Sequence, residues 1–390
     1  MPFASALSTH PVTALATGEV TGSVLERLGR HPDLAVMFVT RAHAGALEDA
    51  AAAVRRILAP SVLIGCAAES VVGSGLEVEE APGVTLWAGM VGPVAPIRLW
   101  TEIDDDVTRT GGWPVRLPFE PQALILLVDP FTFAVDDLIG LLAADRPGLP
   151  LLGGIASAAQ GPGGNRLALD GAIHSTGAVG ALIGPGVRLS TVVSQGCRPV
   201  GRPLVVTRSE RNFVYELAGR PALERLLEMA KDSMSERDIQ LVNQGLHLGV
   251  VIDEHRSDFA RGDFLVRNVL GADQANGAIA IGDEVEVGTT VQFHVRDAES
   301  ADEDLRTLLA FQEADGVLLF TCNGRGTRLF GTPNHDTEVV GDLLAHPPLA
   351  GFFADGELGA IGGRNFLHTF TASLALFSEP RPAPPGGLPA

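Results

Sequence analysis

The chain has 390 residues, 46% of them hydrophobic, 19% charged and only 5% aromatic. Single cores stop growing near ~250–300 residues, so two domains are expected. The 28 Lys and Arg against 47 Asp and Glu give a net charge of −19, which repels phosphate backbones and anionic lipid and excludes nucleic acid and membrane surfaces as expected partners.

The first 26 residues carry no Lys or Arg and no apolar core of a secretory signal, and no later apolar run reaches the ~20 residues of a membrane span. Three segments then share one grammar. The first opens with the apolar run Leu34–Val39, continues into a helical stretch from Gly45 to Leu58 ended by Pro60, and returns in Val62–Ala67 with Gly65 inside. The second opens at Ala123–Asp129, has a helix near Val135–Ala144 stopped by Pro147 and Gly148, and returns in Pro150–Ser157 with Gly153 and Gly154. The third opens at Gly316–Cys322, has a helix near Thr337–Ala345 stopped by Pro347 and Pro348, and returns in Leu349–Ala354 with Gly351. Short continuous apolar runs read as strands buried on both faces, and a central glycine marks a bulge or a close backbone approach. A further strand or hairpin follows each copy, at Val84–Ala88, Ala178–Ile183 and Leu367–Phe377. The unit is thus strand–helix–strand–hairpin. It gives an α/β to α+β fold of mixed sheets with helices packed on them, in two domains.

Between the second and third copies, Leu204–Arg208 and Phe213–Leu217 read as a hairpin and Pro221–Ala230 as a helix. Leu246–Ile252, Phe264–Leu270 and Gly277–Gly282 read as strands, and Asp297–Ala310 as a helix. The domain boundary is placed near Gly219, giving 1–219 and 220–377, and the Pro/Gly-rich residues 378–390 read as a disordered tail.

Cys322-Asn323-Gly324-Arg325-Gly326 sits where a buried strand ends, the place where open α/β sheets bind ligands. Its glycines expose backbone N–H groups, and Arg325 offers a fork for a carboxylate or phosphate. Glu357, just past the Gly351 strand, is placed to bind an amino group or to pair with Arg325; Glu69 and Ser157 hold comparable positions after Gly65 and Gly154. Arg267, with Arg261, flanks Phe264 and is placed either to reach a ligand or to pair with the many acids nearby. The segment Gly161–Asn165 lacks the Lys of a phosphate loop, and the ten histidines form no metal-binding spacing, so neither a cofactor nor a metal is expected. Three cysteines, Cys66, Cys197 and Cys322, without CxxC spacing, fit a reducing cytoplasm. An enzyme reading rests on Cys322 as nucleophile with His335 or His368 as base; a ligand-free interaction scaffold is the third alternative.

Taken together, FASALSTHP, HPDLAVMFVT, SVLIGCAAESVVGSG, LPLLGGIASA and SQGCRPVGRPLVVT in the first half, with DFLVRNVLGAD, VQFHVRDAESADEDL, LLFTCNGRG and LAGFFADGELGAIGG in the second, resemble the FIST proteins, with N-terminal and C-terminal FIST domains in tandem over about Phe3–Phe377. The resemblance implies a non-enzymatic sensory module that binds a small ligand, such as an amino acid or related metabolite, and signals through a protein partner. It maps Cys322, Arg325, Gly351 and Glu357 as motif positions.

Overall fold

The computed structural model describes residues 2–104, 107–232, 234–256 and 258–380. Each of the three sequence copies builds one sheet on the same plan. In the first copy, Leu34–Thr40 and Val62–Ala68 run parallel, joined across the helix Leu47–Leu58. Val84–Gly89 returns antiparallel to Leu34–Thr40, and Phe3–Ser8 adds outside it. The second copy repeats this with Ala123–Val128, the helix Val135–Asp145, Leu151–Ile155, Ala178–Ile183 and Val94–Asp104. The third does so with Gly316–Cys322, the helix His335–Leu344, Leu349–Ala354, Thr371–Ser378 and Arg188–Gln195.

Each copy gives its hairpin away. Val71–Gly73 and Leu76–Val78 pair on Leu349–Ala354 of the third sheet. The second copy's hairpin, Leu167–Leu169 with Ala172–His174, pairs on Val62–Ala68 of the first. The third copy's hairpin, Glu357–Ile361 with Arg364–His368, pairs on Leu151–Ile155 of the second. The exchange closes a ring of three sheets. Leu367–Phe377, expected as a further strand or hairpin, therefore serves two sheets, broken at Phe370, whose φ is 64°.

Inner faces of all three sheets share one core, where Phe38 packs on Phe320 and Phe352, and Trp87 on Phe3 and Phe377. Helices cover the outer faces, including an unanticipated one at Thr13–Leu28 that buries Ala16, Val20 and Val24. Burial on both faces is why the strands read as unbroken apolar runs. The parallel neighbours approach so closely that a Cβ at Gly65, Gly153 or Gly351 would lie 2.3, 1.9 or 1.8 Å from the carbonyl oxygen of Met37, Leu126 or Leu319. Gly351 thus packs inside a sheet and presents nothing to a ligand.

Residues 197–296 form a separate body. Cys197–Glu210, Thr290–Arg296, Leu246–Val251, Phe264–Asp273, Ala278–Ile281 and Phe213–Leu217 pair in that order, and Phe213–Leu217 pairs back on Cys197–Glu210, closing a six-stranded antiparallel barrel. Its core holds Val206, Leu248, Ile279, Phe293 and Val295. The barrel is inserted into the third repeat, between Arg188–Gln195 and the helix Ala298–Leu309. The two crossings touch, because Asp297 N–H donates to the Gly196 carbonyl at 3.3 Å. Gly219 lies in the turn between Phe213–Leu217 and Arg220–Pro221, which pair with each other. At the other end Ser378 closes a strand; residues 381–390 of the expected tail lie outside the described residues.

Candidate functional site

The Cys322–Gly326 loop leaves the third sheet beside the barrel. It folds on itself: Arg325 N–H donates to the Cys322 carbonyl at 2.8 Å, Gly324 N–H points at Cys322 Sγ at 3.4 Å, and Asn323 N–H donates to the Ala354 carbonyl at 2.9 Å. Gly326 adopts φ 59°, and a Cβ there would lie 2.8 Å from both Glu79 Oε1 and the Phe353 ring, so a side chain would be strained. These constraints turn Arg325 inward, where it is 0% exposed. Its Nε and Nη2 donate to Asp336 at 2.8 and 2.7 Å, and its guanidinium lies 5.2 Å above the Phe330 ring. The expected pairing with Glu357 does not form; Asp336, eleven residues on, is the ion-pair partner. Asp336 also accepts from Thr321 Oγ1 at 2.8 Å. Burial would raise its carboxyl, but Arg325 holds it well below the usual carboxylate range. Glu77 on the exchanged hairpin sits close by, accepting from the Thr337 N–H at 3.1 Å, and burial, with the Asp336 charge, pushes it up to about 8.

Glu357 is also 0% exposed. Its Oε2 accepts from Thr371 N–H at 3.1 Å and Thr371 Oγ1 at 2.8 Å, while Oε1, in a carboxyl beside the Cys322 thiol, has no hydrogen-bond partner of good geometry. Burial pushes Glu357 up to about 8 and, with Glu357 alongside, pushes the Cys322 thiol up to about 12. A nucleophilic thiolate needs the opposite shift. Neither expected base serves Cys322 by hydrogen bond. The His335 nitrogens lie 3.1 Å from Asp336 Oδ1 and 2.9 Å from Asp302 Oδ1, its ring stacked on Phe330, and His368 Nε2 lies 3.1 Å from the Gly359 carbonyl.

The barrel supplies the other wall. Arg296 donates through Nη2 to the Gly324 carbonyl and lies 5.3 Å above the Phe370 ring, which packs 4.4 Å from His247. Phe370 holds a left-handed backbone that costs an aromatic residue ~1–2 kcal/mol, and its carbonyl accepts from Gly196 N–H at 2.8 Å. Arg325 Nη1, Arg296 Nε and Gln195 Oε1 are buried without a hydrogen-bond partner along this seam, and Glu357 Oε1 has only the Cys322 thiol beside it. Each such group costs ~1–3 kcal/mol.

The opposite side of the loop lines a cleft of about 350 Å³ with Glu69, Glu79, Asn323, Thr327, Arg328 and Phe353. Here Glu69 N–H donates to Ser157 Oγ at 2.9 Å, Ser157 Oγ–H donates to the Phe353 carbonyl at 2.6 Å, and Arg328 Nη2 donates to Glu69 at 2.7 Å. Glu69 and Ser157 each lie four residues past Gly65 and Gly153, and Asp355 lies four past Gly351. The structure therefore gathers Cys322, Gly324, Arg325 and Glu357 on one side of the loop, and Asn323, Glu69 and Ser157 on the other. Arg267 stays apart, pairing with Asp283 at 2.6 Å and bracing the barrel on the Leu367 carbonyl at 3.2 Å. Asp336, Phe370, Arg296 and Glu77 carry no spacing signal, because each reaches the loop only through tertiary packing.

Among the described residues no group of three or more His, Cys, Asp and Glu is placed to hold a metal ion, and no helix is long and apolar enough to cross a membrane. Residues 33–220 match the family model described as the FIST N domain, and residues 222–360 match the FIST C domain. An uncharacterized protein of Mycobacterium tuberculosis is 42% identical over 96% of this chain and 98% of its own length. An uncharacterized protein of Mycobacterium bovis is 41% identical over 95% and 97%. With both domain matches in tandem over most of its length, the chain belongs to the FIST family of signal-transduction sensory domains.

Proposed function

We propose that this protein is a cytoplasmic sensor that binds a small polar ligand at the Cys322–Gly326 loop and passes the bound state to a partner protein through the barrel. The observation that carries this reading is the seam itself: buried polar atoms left short of partners from the third repeat (Arg325, Glu357) and from the barrel and its approach (Arg296, Gln195). Such atoms are the ones a polar ligand would satisfy. A ligand spanning both bodies interacts differently with each placement of the barrel, which is what a population shift requires. Three free cysteines, none in a disulfide, support a reducing compartment.

The test is a thermal-shift screen against small metabolites, where ligand at one hundred times its Kd adds about 2.7 kcal/mol of stability. Hits should weaken in Arg296→Gln and should slow alkylation of Cys322. Hits that survive Arg296→Gln and leave the Cys322 alkylation rate unchanged would place binding elsewhere, and a flat screen would favour a ligand-free scaffold.

A further inference from the structure

Charge is unevenly compensated along the seam. Arg325 is neutralised by Asp336 through two hydrogen bonds, yet its Nη1 is left without a partner. Arg296 forms no ion pair among the described residues: Nη2 meets a backbone carbonyl, the guanidinium faces the Phe370 ring, and the buried Nε meets nothing. Both guanidinium groups lie near the Gly196–Cys197 segment. A Cβ at Gly196 would lie 3.3 Å from Arg325 Nη1 and 2.5 Å from the Phe370 carbonyl, while Arg296 spans Phe370 and the Gly324 carbonyl, one residue before Arg325. The Cys197 thiol feels both positive charges. The neighbouring acid does not cancel them, because burial keeps Glu357 largely protonated near neutral pH, with a pKa of about 8.

The geometry points to a monoanionic ligand, a small carboxylic acid whose carboxylate bridges Arg325 Nη1 and Arg296 Nε at the edge of the Phe370 ring. This rests on the reading of the Cys322 loop as a ligand site and gives that ligand its charge. Planar carboxylates match guanidinium N–H groups in direction as well as charge. One uncompensated arginine balances one negative charge. A phosphate dianion would leave an excess negative charge beside Glu357 in a chain that already carries −19.

Titration calorimetry of the full chain with propionate and lactate, their neutral amides propionamide and lactamide, and inorganic phosphate tests the charge directly. The carboxylates should bind, and each should slow Cys322 alkylation. They should lose roughly tenfold to a hundredfold in affinity in Arg296→Gln, the weight of one charge-assisted hydrogen bond. Arg296→Lys, which keeps the charge, should retain part of the binding if Arg296→Gln fails to fold. Equal binding of amides and carboxylates, or tighter binding of phosphate, overturns the monoanion while leaving the ligand site in place. No carboxylate binding, with neutral or cationic hits from the metabolite screen still protecting Cys322, has the same meaning. No binding in either experiment removes the site and the anion together.

Discussion

At the scale of single residues, the buried Arg325–Asp336 pair holds the loop. Removing one partner strands a buried charge, which costs ~3–5 kcal/mol, far more than a surface ion pair contributes. Asp336→Ala should therefore lower stability to urea by about that amount, whereas Arg306→Ala, which breaks the half-exposed Arg306–Asp302 pair, should cost under about 1 kcal/mol. Equal losses would show that Arg325 is better solvated than its burial indicates. Buried titratable groups also set a pH profile. Burial pushes His247, His294 and His368 down to about 4 from 6.5, and Glu77 and Glu357 up to about 8 from 4.5. Up to about pH 6.5 the unfolded chain takes up histidine protons that the native chain refuses, and three histidines outweigh two glutamates, so stability rises with pH. Above that the native chain keeps glutamate protons that the unfolded chain has released, so stability falls toward pH 8. Urea midpoints should peak near pH 6.5, and Glu357→Gln should flatten the alkaline fall. A steady rise through pH 8 would contradict the shifts on both glutamates.

At the scale of elements, glycine has two distinct roles that substitution separates. Gly65, Gly153 and Gly351 lie against neighbouring backbone carbonyls, so Gly351→Ala, with a methyl 1.8 Å from Leu319 O, should abolish soluble expression or cost several kcal/mol. Gly22 and Gly140 sit exposed in helices with nothing within 4 Å of a new Cβ. Alanine there should raise stability by about 0.5–1 kcal/mol each, through helix propensity and the entropy of the unfolded chain. Thermal melts of the three variants decide the matter. The strands were legible in sequence because burial on both faces leaves unbroken apolar runs such as Ala123–Val128. The helix Thr13–Leu28 was not, because Thr13, Thr17, Gly18, Thr21, Gly22 and Ser23 dilute its apolar stripe and it buries small residues against the sheet. The strand Arg188–Gln195 alternates only weakly, and its place is fixed by eight paired residues on Thr371–Ser378, far along the chain.

At the scale of the whole molecule, the ring of three sheets and the barrel have separate cores. The barrel leaves and returns through Gly196 and Asp297, which touch. Replacing residues 197–296 with a short linker should therefore leave a chain with a cooperative thermal transition, while deleting the hairpin Glu357–His368 should not, because it takes the edge from the second sheet. Circular dichroism melts of the two deletions test this, and loss of cooperativity in the first would show that the barrel is part of the core.

By itself, the sequence determined the threefold strand–helix–strand grammar, the close approach at the repeat glycines and the strand-end loop at Cys322. All of these are set by local periodicity, by backbone sterics or by residues adjacent in the chain. Only the tertiary structure decided that the hairpins exchange between sheets, that Asp336 rather than Glu357 takes Arg325, and that Arg296 and Phe370 close over the loop. Hydrogen bonding along a strand edge is nearly indifferent to which copy supplies the partner, and the burial of a polar group depends on what folds across it. Both are properties of long-range packing, which no local pattern records.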